Sequence, residues 1–117
     1  MRELLRGLLV KNGYNSPGMV ETVEIGLGRL LRQLGMRMSV AESCTGGLIS
    51  HLITNVPGSS DYFLGGLTVY ANEAKVRLLG VRWENLEKYG AVSREIVMEM
   101  AEGVRTALTA MVTETAV

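Results

Sequence analysis

Ser43, Cys44 and Thr45 stand in a row and are followed by Gly46 and Gly47. Three side chains with a nucleophilic heteroatom thus precede two residues without a Cβ, which let a backbone approach a ligand closely. A serine or threonine hydroxyl attacks only when a base removes its proton, and an imidazole or an amine can serve. The sequence holds one histidine, His51. Its neighbours on a helical face, Gly47 and Asn55, are not apolar, so a surface histidine is expected there rather than a general base. Lys75 is the candidate amine. It falls near the start of a predicted helix, where a cation meets the positive end of the macrodipole. Two accounts follow. The side chain swings into solvent at a cost of a few tenths of a kcal/mol. Otherwise it points into a site, near Tyr70, where the dipole and desolvation favour the neutral amine. Taken alone, the first account is the simpler.

The nucleophile row needs a rigid seat, and the surrounding residues supply a pattern for one. Arg37-Met38-Ser39-Val40-Ala41 is a short, partly apolar run, and Leu48, Ile49, Leu52, Ile53 and Val56 recur at helical spacing. Residues 39–47 therefore read as a strand entering a tight turn and then a helix. Such a junction aims free backbone N–H groups at whatever lies in front of it. The plainer reading is that Ser43 or Thr45 merely caps the helix.

Along the rest of the chain, Leu4, Leu5, Leu8 and Leu9 predict a short amphipathic helix, and Asn15-Ser16-Pro17-Gly18 a turn. Val20, Val23, Leu27, Leu30, Leu31 and Leu34 follow the 3.6 period up to Gly35. Gly26 and Gly28 weaken that helix by roughly 1 kcal/mol each relative to alanine, so packing must hold it. Pro57-Gly58-Ser59-Ser60 is a turn, and residues 63–70 read as a buried strand whose paired glycines suggest a bulge or close approach. Asn72 and Gly80 bracket a helix as caps. Trp83 to Tyr89 form a further helical turn, and Gly90-Ala91-Val92 an extended stub. Ser93 caps a last helix to about Ala110, with Ile96, Met100, Val104 and Leu108 inward. Two convincing strands, near 38–43 and 63–70, fall short of the three normally needed for independent stability. Met111 to Val117 could begin another.

The totals restrict the function classes. The 117 residues suit one domain, and 12 basic against 12 acidic residues leave no net field to recruit nucleic acid or anionic membrane. No run spans a bilayer, no signal-peptide pattern opens the chain, and one cysteine suits a reducing cytosol, so a cytoplasmic protein is expected. One cysteine and one histidine make a structural zinc site improbable.

Several motifs occur in one order: Ala41-Glu42-Ser43-Cys44-Thr45-Gly46-Gly47, Val56-Pro57-Gly58-Ser59-Ser60, Phe63-Leu64-Gly65-Gly66, Val69-Tyr70-Ala71-Asn72-Glu73-Ala74-Lys75, Leu79-Gly80-Val81 and Gly90-Ala91-Val92-Ser93. Over roughly residues 36–110 the chain resembles the CinA C-terminal domain family, the nicotinamide-nucleotide amidases. The resemblance implies an α/β fold with helices layered on a small, here incomplete, β-sheet. It implies residues 1–35 as an N-terminal helical segment and 36–117 as an amidase core lacking the family's last strands and Gly/Pro-rich loop. It further implies hydrolysis of nicotinamide mononucleotide to nicotinic acid mononucleotide and ammonia, without metal or cofactor. Ser43 would be the nucleophile, with Lys75 and Tyr70 as its activating pair. Amides from Cys44 to Gly47 would face the oxyanion. Ser59–Ser60 or Thr45-Gly46-Gly47 would take the phosphate, and Glu42 and Asn72 would position the site. The expected partners are a small nucleotide and, to shield the unfinished sheet edge, further copies of the chain. A non-catalytic member that binds a nucleotide or a partner chain is the alternative.

Overall fold

Alternation along the first strand decides how the layers form. The computed structural model describes residues 21–115. Its elements are α1 (Val23–Leu34), β1 (Met38–Glu42), α2 (Leu48–Thr54), a 3-10 turn (Ser59–Asp61), β2 (Phe63–Thr68), α3 (Asn72–Leu79), α4 (Trp83–Tyr89) and α5 (Arg94–Thr115). Met38 and Val40 face a cluster built on Leu31 of α1, Ile53 of α2 and Tyr62. Ala41 and Leu67 face the opposite cluster, formed by Val69, Leu79, Val81, Leu86, Ile96, Met100 and Val104. Successive strand residues point to opposite faces, so five residues suffice to bind helices on both sides.

β1 and β2 run parallel, and α2 is the crossover between them. Parallel pairing puts the carboxyl ends of both strands at one edge, where Glu42 stands opposite Thr68. The register slips between Met38 and Ser39, which face Phe63 and Gly65, so Leu64 is the extra residue of the expected bulge. Gly66 answers the expected close approach: a Cβ there would run into the Ser50 side chain and lie 2.8 Å from a Val40 methyl. Gly28 has a like reason, since its missing Cβ makes room for the Tyr62 hydroxyl. Packing on Tyr62 thus outweighs the helix penalty that Gly28 carries.

Several expectations change. β2 ends at Thr68 because its partner β1 ends opposite, at Glu42, whose carbonyl accepts one further bond from the Val69 amide at 2.8 Å. Gly90-Ala91-Val92 joins no strand, and Gly90, at φ 79°, forms a corner instead. The last helix does not stop near Ala110 but continues to Thr115, so no strand follows it among the described residues. Ser93 does cap it, accepting the Ile96 amide on its hydroxyl at 3.4 Å. Asn72 is the first residue of α3 rather than its cap, which is Ala71 with no side-chain bond. The apolar face expected on α2 buries Ile53 and leaves Leu48, Ile49 and Leu52 exposed, because that helix has seven residues and meets the core with one. The helix predicted around Leu4 to Leu9 lies outside the described residues.

Candidate active site

The turn from Ser43 to Gly47 is built at the carboxyl edge of the sheet, between β1 and α2. Gly46 and Gly47 sit at φ 61° and 100°, which only glycine adopts without strain. At Gly46 a Cβ would meet nothing within 4 Å, so conformation alone requires the glycine.

What lies in front of the helix terminus is not solvent but the protein's own carboxylate. Glu42, 2 % exposed, reaches across the turn and fills both oxygens. Oε1 accepts from the Thr45 hydroxyl and the Ile49 amide, each at 2.8 Å. Oε2 accepts from the Ser50 amide at 3.1 Å and the Ser50 hydroxyl at 2.8 Å. Burial pushes the Glu42 carboxyl up, but the Ser50 hydroxyl, the Ile49 and Ser50 amides and the Thr45 hydroxyl outweigh it, lowering it from 4.5 to about 2. The Ile49 and Ser50 amides, and the positive end of α2, are therefore already occupied. Glu42 was expected to help position the site; four donors on its two oxygens leave no lone pair for a substrate, so any positioning it does is through the turn.

Within the turn, Gly46 N donates to Ser43 O and Leu48 N to Thr45 O, at 3.1 Å each. Gly46 thus does not contribute an oxyanion donor. The amides of Cys44, Thr45 and Gly47 carry no hydrogen bond to another described residue. Ser43 is half-buried beside the exposed Cys44 thiol.

The second strand brings the lysine to the same edge. Lys75, on the first turns of α3, is 2 % exposed, which overturns the solvent-facing account. Its Nζ donates to the Tyr70 carbonyl at 2.7 Å, and no carboxylate pairs with it among the described residues. Tyr70 therefore meets Lys75 through its backbone. Its phenol, on a residue 76 % exposed, stands free at the rim. Because Glu42 faces Thr68 in the register, Ser43 and the segment that holds Lys75 leave neighbouring strand ends. Asn72 is half-buried at the start of α3, on the same side.

Ser59 and Ser60 do not join this group. Their turn precedes β2, at the amino edge of the parallel pair, with the length of the strands between it and Ser43. Arg32 holds that turn, donating to Gly58 O at 2.8 Å and pairing with Asp61 at 3.4 Å. His51 is exposed and bonds to Asn55. Sequence reasoning missed Ser50, because its partner lies eight residues upstream and no helical spacing links the two. Among the described residues no three His, Cys, Asp or Glu side chains gather to hold a metal. No helix there is long and apolar enough to cross a membrane.

Comparison with known proteins shows the family. The CinA C-terminal domain model matches residues 20–115, so the match includes α1. A CinA-like protein of Chlorobium phaeobacteroides is 57% identical over 82 residues, 70% of this chain and 19% of that protein. A CinA-like protein of Thermotoga neapolitana is 48% identical over 104 residues, 88% of this chain and 26% of that one. Among solved structures, the competence or damage-inducible protein of Enterobacter asburiae superposes with a TM-score of 0.67 at 44% identity, over 68% of this chain and 50% of that chain. The chain thus spans about a fifth to a quarter of these two relatives and half of the solved chain. With the family model covering all but the ends of the sequence, the chain belongs to the CinA C-terminal domain family.

Proposed function

We propose that this domain hydrolyses the carboxamide of nicotinamide mononucleotide, releasing ammonia and nicotinic acid mononucleotide, with Ser43 as nucleophile and Lys75 as base. The observation that carries the reading is the burial of Lys75 with a single backbone acceptor and no counter-ion among the described residues, at the sheet edge where Ser43 emerges. A buried amine without a carboxylate costs stability, and such groups concentrate where chemistry uses them.

In this reading Lys75 takes the Ser43 proton as Oγ bonds to the carboxamide carbon. The amides of Cys44, Thr45 and Gly47 receive the developing oxyanion. Lys75 then returns the proton to the departing nitrogen, and ammonia leaves. Water, deprotonated in turn by Lys75, attacks the ester carbon, and Lys75 returns that proton to Ser43 Oγ as it leaves, freeing the acid and restoring both groups. The exposed Tyr70 ring is free to lie against the substrate. We assign the substrate phosphate to neither expected turn, since Ser59–Ser60 is at the far edge and the helix end behind Thr45-Gly46-Gly47 already holds the Glu42 carboxylate.

Ammonia release from nicotinamide mononucleotide, with Ser43→Ala as control, tests the proposal. Turnover that Ser43→Ala abolishes is the expected result, and turnover that survives it removes Ser43 as nucleophile. No turnover by the unaltered chain, with the mononucleotide still raising Tm, would make the domain a binding module instead.

A further inference from the structure

A seven-residue helix is ordinarily capped from the residue at its start, but Gly47 there has no side chain. The cap comes instead from Glu42, on the strand side of the turn. Its carboxylate holds the two helix amides beyond the turn and the Thr45 hydroxyl inside it. Its own carbonyl accepts the Val69 amide at 2.8 Å, fixing the same residue to the second strand. One residue therefore joins β1, the start of the Tyr70–Lys75 segment, the turn and α2. The Ser43–Gly47 loop is closed around it at both ends.

We propose that Glu42 is the positioning residue of the Ser43 turn. It holds Ser43 and the free amides of Cys44, Thr45 and Gly47 in place without touching the substrate. Glutamine cannot do this. Its amide keeps one acceptor oxygen, but its NH2 group must face either the Ile49 or the Ser50 N–H, a donor against a donor. The hydroxyls of Thr45 and Ser50 can rotate; backbone amides cannot.

The kinetic part rests on the amidase reading, so the test has a second arm that does not. In the 117-residue chain, Glu42→Gln and the milder Thr45→Val are compared with the parent. With turnover, Glu42→Gln is expected to lower kcat roughly 100-fold at a KM within about threefold, since misplacement of the reacting groups costs rate rather than binding. Thr45→Val, which removes one of the four donors, is expected to lower kcat about tenfold. Hydrogen exchange of the peptide covering residues 43–50 is expected to rise at least about tenfold in Glu42→Gln, with peptides of α5 unchanged. Unchanged exchange in 43–50 overturns the proposal whether or not the chain turns over. Raised exchange with unchanged kcat in either variant overturns it too, because Glu42 would then be a cap only. An inactive parent chain refutes the amidase reading alone, and the exchange arm still decides whether Glu42 holds the turn. If Glu42→Gln fails to fold, Thr45→Val decides by the same two readouts.

Discussion

Replacing Glu42 by glutamine should produce a stability deficit that depends on pH in a fixed direction. The folded carboxyl lies near 2, against 4.5 for an ordinary glutamate, because four donors outweigh its burial. A group whose folded value is depressed stabilises the protein above its unfolded value, and loses that contribution as pH falls toward the folded one. The difference corresponds to about 3 kcal/mol at pH 7 and, by linkage, to roughly half of that at pH 3. Glutamine mimics the protonated acid at every pH. The gap in unfolding free energy between parent and Glu42→Gln should therefore be widest at neutral pH and about halve by pH 3. Urea titrations at the two pH values, followed by far-UV circular dichroism, read it directly from the midpoints and slopes. A gap that stays constant or widens on acidification would refute the reasoning, since the carboxylate would then not be held by its donors.

Lys75→Met removes a buried amine while keeping length and apolar stem. Ammonia release should disappear while the urea midpoint stays level or rises, and a loss of more than about 2 kcal/mol would argue that Lys75 is structural. Gly103→Ala should destabilise, although alanine favours helices by about 1 kcal/mol. Its Cβ would collide with the backbone carbonyl of Leu79, a group that cannot rotate away, so a net loss of about 2 kcal/mol is expected in thermal unfolding. Ile96→Ala, at a fully buried position where α5 enters the core, should cost about 3–4 kcal/mol in the same assay.

Local pattern determined much of this protein. The period of Ile96, Met100 and Val104, the caps at Gly35, Gly80 and Ser93, and the Trp83–Tyr89 helix were all legible, because each depends on residues within a few positions of one another. The ordered motifs around Ser43 and Lys75 likewise marked the family. Pairing across the strands was not legible, since it depends on which distant segments meet. Only the tertiary structure buried Lys75, turned Tyr70 so that its carbonyl and not its phenol meets the amine, and sent Ser59–Ser60 to the far edge. It also filled the helix terminus with Glu42 through Ser50, a partnership no periodicity announces. Residue types state which groups could react. The parallel register of two short strands decides which of them meet, because a carboxylate or an amine takes its role from the donors and acceptors that burial leaves within reach.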